Sequence, residues 1–315
     1  MNKILLTSTA FAALIAGPAT AADLARPIHR RPAVVVAAPV WTGWYVGGNV
    51  GYGWGNARTD IAGAATTIAN QPFFGGIPAN FALAGSNRAG LHGVVGGGQA
   101  GYNFQLATRW LWGFEADIQG SGARGSSTSV NSFSGPICAT MGGVPPVCSS
   151  FFPLSGTAAT AYEGKIDWFG TVRGRLGYLV NDRVLLYATG GLAYGRVELS
   201  GATNVNGVTI DPIGPISTPF TSPGTSVFSA SRTNVGFAVG GGIEGRLAYW
   251  LPPNWTWKLE YLYLDLGSVD TVNPFPAANP NTSAVLRATP FTGTMTTHTL
   301  FTDNIVRAGL NYQFH

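Results

Sequence analysis

Lysine is almost missing from this 315-residue chain, which carries it only at Lys3, Lys165 and Lys258. Charged residues of all kinds make up 10% of the sequence, well below the roughly 25% of an ordinary soluble domain. A surface solvated on every side is therefore not encoded. Beyond the N-terminus there is also no run of about 20 apolar residues, the length a membrane-spanning helix requires, although 45% of the residues are hydrophobic and mean hydropathy is +0.17. The apolar residues are spread thinly instead. Basic runs are absent beyond Arg30-Arg31 and the formal net charge is +4, so nothing in the charge pattern supports a nucleic-acid partner. The histidines, His29, His92, His298 and His315, are scattered without metal-ligand spacing. No serine sits in a GxSxG motif or beside a histidine, which leaves a hydrolase without a nucleophile. These absences point to no enzyme, no cofactor and no metal site.

The first residues supply an export signal. Lys3 gives a positive start, Ile4 to Ala19 an apolar stretch, and Ala19-Thr20-Ala21 a small-residue cleavage site. As a membrane anchor the stretch is too short, and Thr7-Ser8-Thr9 and Gly17-Pro18 interrupt it. Residues 1–22 read as a signal peptide, 23–40 as a flexible periplasmic linker rich in Pro and Ala, and 41–315 as one outer-membrane β-barrel. Cysteine is limited to Cys138 and Cys148. In an exported chain a disulfide between them is expected, closing a short loop worth about 2–3 kcal/mol.

After Trp41 one unit recurs: a run of alternating residues, then a connection that is by turns long and short. The runs lie near 43–55, 93–105, 110–122, 165–179, 184–198, 233–247, 255–267 and 302–314. Their number and length suit an antiparallel up-and-down transmembrane barrel of about eight strands. The segments 56–92, 123–164, 199–232 and 268–301, rich in Gly, Ser, Thr, Asn and Pro, are expected as long outer loops. Leu106-Ala107-Thr108-Arg109, Val180-Asn181-Asp182-Arg183 and the stretch around Pro252-Pro253-Asn254 are expected as short periplasmic turns.

Alternate side chains of a strand point to opposite faces, so each run can be asked which face tolerates hydrocarbon. Trp112, Phe114, Ala116 and Ile118 oppose Glu115, Asp117 and Gln119; Val172, Leu176 and Tyr178 oppose Thr171, Arg173 and Arg175. Val235, Phe237, Val239 and Ile243 oppose Asn234, Glu244 and Arg246, while Val306, Ala308, Leu310 and Tyr312 oppose Arg307, Asn311 and Gln313. Inverting these strands would place seven charges toward lipid, at about 2–4 kcal/mol for each basic residue near mid-membrane. Lys258 and Glu260 are assigned inward as well, with a bulge or the membrane rim at Asp265 where the pattern breaks. In the fifth run, where Tyr187 and Tyr194 lie on opposite faces, Arg196 and Glu198 are assigned inward. A barrel this narrow is filled by its own side chains, so a paired Arg–carboxylate network closing the lumen is expected. A narrow selective pore lined by the same charges is the competing reading. Gly96, Gly98 and Gly101 match GxGxxG with Glu115 and Asp117 downstream, but no helix follows, and nucleotide binding is set aside.

Several segments are familiar as a set: Ala22-Asp23-Leu24, the run Trp41 to Gly55 (WTGWYVGGNVGYGWG), Gly98 to Asn103 (GQAGYN), Trp168 to Tyr178 (WFGTVRGRLGY), Tyr187 to Gly195 (YATGGLAYG) and Glu260 to Tyr263 (EYLY). Together they resemble the small outer-membrane proteins of alpha-proteobacteria, the RopB-like porin family. That resemblance implies a surface-exposed barrel supporting envelope integrity and external contact, with haemin binding or weak porin activity in some members and no catalytic residues. For haem, the candidate contacts are His92 and His298, at ends of expected outer loops. The implied partners are outer-membrane lipid and lipopolysaccharide and the barrel-assembly machinery. This machinery reads a terminal aromatic, here served by Leu310, Tyr312 and Phe314 with His315 beyond.

Overall fold

The computed structural model describes residues 41–314 apart from 72–73, 141–147, 211–216, 222–224, 248–253, 278–286 and 289–290. The expected signal peptide, linker and His315 lie outside the described residues. Its strands are β1 (Gly43–Gln71), β2 (Phe74–Gln105), β3 (Trp110–Ser121), β4 (Arg124–Thr140), β5 (Cys148–Asn181), β6 (Val184–Ile210), β7 (Ser217–Thr221), β8 (Ser226–Arg246), β9 (Trp255–Pro274), β10 (Arg287–Ala288) and β11 (Thr292–Gln313). All pairings are antiparallel, and the sheet closes on itself because β1 bonds both β2 and β11. Strands β3 and β4 take the lower and upper lengths of one position, both beside β2 and β5, so a cross-section cuts eight strands. Short β7 and β10 extend the sheet beside β6 and β1.

Alternation explains the closure. The outward set is apolar and exposed, with Val50, Trp112, Ile118, Val172, Leu192, Phe237, Leu259 and Leu310 each 45–62% accessible. No soluble domain presents such a continuous band to water, whereas lipid accepts it. Trp44, Trp110, Trp255 and Tyr312 border the band at the short-turn end, and Trp54 and Trp168 at the other, as interfacial girdles do. The short turns bond as expected: Leu106 N donates to Trp110 O at 3.0 Å, and Arg183 N to the Asn181 side chain at 2.9 Å.

The outer segments differ from the loop expectation. Much of 56–92, 123–164, 199–232 and 268–301 is strand, so that β1 runs 29 residues and β5 34, against the nine to eleven a tilted strand needs to cross the bilayer. The hairpins therefore stand well clear of the membrane as a continuation of the barrel. Their alternation is muted in the sequence because the outward positions carry Ser, Thr and Arg and the inward positions small residues such as Ala57, Ala65, Ala89 and Ala158.

Two irregularities keep the inward face inward along these lengths. On β9, Leu300 of β11 pairs Ser268 while Thr302 pairs Asp265, so one extra residue is accommodated and the parity of β9 changes. Gly267 takes a φ of +72°, and its N–H donates to Asp265 Oδ1 at 2.7 Å. This is the bulge that Asp265 foreshadowed. On β5 the same shift falls at Asp167, between Ile166 and Trp168. Elsewhere glycine permits close strand approach: a Cβ on Gly51 would lie 2.3 Å from Val306 O and 2.7 Å from Arg307 Cβ.

Candidate functional site in the lumen

The interior is stratified along the barrel axis. At the short-turn end Trp41, Leu111, Leu179, Leu185 and Tyr187 form an apolar floor. Next comes a charged stratum. Toward the long hairpins follows a large apolar core that includes Leu91, Ile166, Phe169, Leu262, Leu264, Phe301 and Ile305. The hydroxyl pair Thr59–Thr299 sits within this core, between Ala57 and Ile61, and Thr160–Thr203 at its far edge, both at 2.9 Å. A cluster of Phe81, Phe133, Phe275 and Phe291 with Leu83 and small residues forms another interior layer near the tips.

Strand parity brings eight charges into the one stratum: Glu115 and Asp117 from β3, Arg173 and Arg175 from β5, Glu244 from β8, Lys258 and Glu260 from β9, and Arg307 from β11. None is more than 5% exposed. Four acids face four bases. Arg173 joins Glu115 at 2.6 Å, Asp117 at 2.9 Å and Glu260 at 3.1 Å. Arg307 reaches Glu260 at 2.6 Å and, across the barrel, Asp117 at 2.8 Å. Lys258 donates to both Glu115 oxygens at 2.7 and 2.8 Å, and Arg175 joins Glu244 at 2.7 Å. Such pairs hold in a dry interior only when their remaining donors and acceptors are also satisfied. Neutral neighbours do part of this: Tyr45 OH donates to Glu115 at 2.7 Å, Tyr187 OH to Glu260 at 3.1 Å, and Thr256 and Asn311 to Glu244 at 2.7 and 3.1 Å, while Asp117 Oδ1, Arg175 Nε and Arg307 Nη1 have no hydrogen-bond partner among the described residues. The Arg175 guanidinium also stacks 4.1 Å from the Tyr187 ring centroid.

Three other assigned interior charges fall elsewhere. Arg246 is half-buried at the floor, 5.2 Å above the Trp41 ring and 3.3 Å from Gln313 Oε1. Arg196 and Glu198 are a correction: both point outward, 49% and 37% exposed, among Asp167, Lys165 and Ser231. The strand has left the apolar band above Tyr194, so these charges meet water at no desolvation cost. Their even numbering, shared with outward Leu186, Leu192 and Tyr194, was the available signal.

Sequence reasoning placed Asn311 inward but missed the neutral partners Tyr45, Tyr187 and Gln99, whose types are equally common in loops and interfaces. It also missed Asp303, which is 1% exposed, receives only the Asn304 N–H at 3.0 Å, and has no partner for Oδ2 among the described residues. His92 and His298 are not brought together. They lie on β2 and β11, separated by β1, and His298 Nδ1 meets Asp270 Oδ1 at 2.5 Å. The backbones of Cys138 and Cys148 lie on paired β4 and β5, opposite Phe151 and Thr140; the sulfur atoms are outside the described side chains. Leu310 and Phe314 are 45% and 49% exposed on the lipid face, and the Tyr312 and Phe314 rings meet edge-on at 5.1 Å.

Comparison with known proteins places these features in company. The outer membrane protein beta-barrel domain family matches residues 9–314. A 31 kDa outer-membrane immunogenic protein of Brucella melitensis is 34% identical over 321 aligned positions, covering all of both chains. A 22 kDa outer membrane protein of Rhizobium leguminosarum bv. viciae is 36% identical over 108 residues, 34% of this chain and 37% of the relative. Among solved structures, the attachment invasion locus protein Ail of Yersinia pestis is similar over 79% of this chain and 98% of its own, at 13% identity and a TM-score of 0.25.

Proposed function

Since this chain belongs to the outer membrane protein beta-barrel family, and so resides in the Gram-negative outer membrane, we propose that it serves as a closed structural barrel presenting a tall external surface. The observation that carries this reading is the cross-lumen pairing of Arg307 with Asp117 and Lys258 with Glu115. Those bonds tie β11 and β9 to β3 through the centre, where a diffusion pathway would have to run. The apolar core above, with Phe169 and Phe301 no more than 1% exposed, adds a second obstruction that an ion cannot cross without shedding its water. A barrel braced in this way contributes to envelope integrity, and the strands beyond the bilayer supply its external contacts. The immunogenic character in the Brucella relative's name fits such display. This role calls for no catalytic step.

Planar-bilayer recording tests the closed lumen. Purified wild-type protein is expected to give no stable conductance steps above the lipid background. Regular steps whose size changes in Arg175→Ala would establish a small pore in place of the closed barrel.

A further inference from the structure

Just above the apolar band, a register row crosses the outside of the barrel. Trp54 of β1 is paired with His92 of β2, His92 with Arg124 of β4, and Arg124 with Lys165 of β5. Four residues farther along, Arg58 of β1 is paired with Arg88 of β2. All of these side chains face outward. Like charges directly opposite on neighbouring strands repel, so an arrangement of this kind stands more easily with an anion between them. The nearby acids serve only part of it. Asp60 lies 3.8 Å from Arg58, and Asp167 and Glu198 hold Lys165. Glu163 is exposed two positions beyond Lys165, opposite Ser126. Arg88 and Arg124 have no acidic partner among the described residues.

We infer that the outer face around Arg88 and Arg124 seats the phosphorylated headgroup of an outer-leaflet lipid. Position selects a lipid over a soluble anion. Directly below the row, β1, β2 and β3 present Val50, Val94 and Ile118, each 59–61% exposed, with Trp54 and Trp168 flanking at the interface. Acyl chains lying on that surface would deliver their phosphates to the height of the arginines. Basic side chains at this level contribute attraction for anionic headgroups that falls away within a Debye length. The inference rests on the outer-membrane placement and not on the closed lumen, so a conducting barrel would leave it intact.

The test uses the full-length protein folded in neutral detergent, with bis-phosphorylated lipid A as probe and the same lipid stripped of its phosphates as control. Native mass spectrometry reads retained lipid, and heat-modifiable gel migration verifies folding of each variant. Wild type is expected to retain the phosphorylated form about tenfold better than the stripped form. Arg88→Gln with Arg124→Gln should remove most of that preference, while Arg88→Lys with Arg124→Lys, and Arg232→Gln on the distant β8, should keep it. Equal retention of the stripped lipid, or undiminished preference in the folded double glutamine variant, overturns the assignment. Complete displacement by excess inorganic phosphate also overturns it, since the site would then take a free anion.

Discussion

Arg173 holds Glu115, Asp117 and Glu260 simultaneously, and its side chain is fully buried, so its value lies in what its removal would leave behind. Arg173→Ala strands carboxylates in a dry lumen and is expected to cost about 3–5 kcal/mol, read as a fall in the urea midpoint of the protein in detergent. Arg196→Ala, which deletes a half-exposed guanidinium on the outside, should stay within about 1 kcal/mol of wild type. Similar losses in the two variants would show that the lumen is wetter than its geometry indicates. Asp303 presents the opposite case. It is a buried acid with Leu264 and Gly55 in register on either side and no cationic partner among the described residues. Asp303→Asn keeps the shape and removes the charge, and is expected to raise stability by about 1 kcal/mol at neutral pH. A lower urea midpoint would mean that the carboxylate has a favourable partner after all.

The elements owe their continuity to irregularities placed at the membrane's outer edge. Without the bulge at Leu266–Gly267, the residues of β9 beyond Asp265 would turn Val269 outward and Asp270 inward, because a shift of one residue exchanges the two faces. Gly267 is the residue that tolerates the positive φ this requires. Gly267→Val should therefore cost about 1–2 kcal/mol, and hydrogen exchange should rise at Val269 to Val272 more than at Trp257 to Tyr261. Uniform exchange along β9 would argue that the bulge is not what sets the register. Asp265 was visible in the sequence as a break in alternation, read as a bulge or the membrane rim, and the register shift beside it is a bulge. The bulge at Asp167 was not visible, since Lys165, Asp167 and Trp168 fit either face of a strand leaving the membrane.

At the scale of the whole molecule, two solvents meet one closed sheet. Below the Trp54 and Trp168 girdle the outer face contacts hydrocarbon, and above it the same strands contact water. Val172→Arg, at a position 52% exposed within the band, is expected to cost about 2–4 kcal/mol in lipid. Ser126→Arg, on the outer face above it, should be almost neutral. Equal costs, measured by urea unfolding in vesicles, would contradict this placement of the membrane boundary. The interior is equally divided: the charged stratum lies beneath an apolar one, and the barrel continues as a packed structure beyond the lipid.

Alternation of side chains is a property of each strand by itself, so the closed barrel, the lipid-facing band and eight of the interior charges were legible residue by residue, because burying Arg or Glu in hydrocarbon costs too much for any other register. The short turns at 106–109 and 180–183 were legible for equally local reasons. What only the tertiary structure decided is which charge meets which, since Arg307 and Asp117 are 190 residues apart and become neighbours through closure of the ring. It also decided how far the strands run past the membrane. There the outside is water, polar and small residues are tolerated on both faces, and the local pattern no longer carries the energy difference that makes a strand conspicuous.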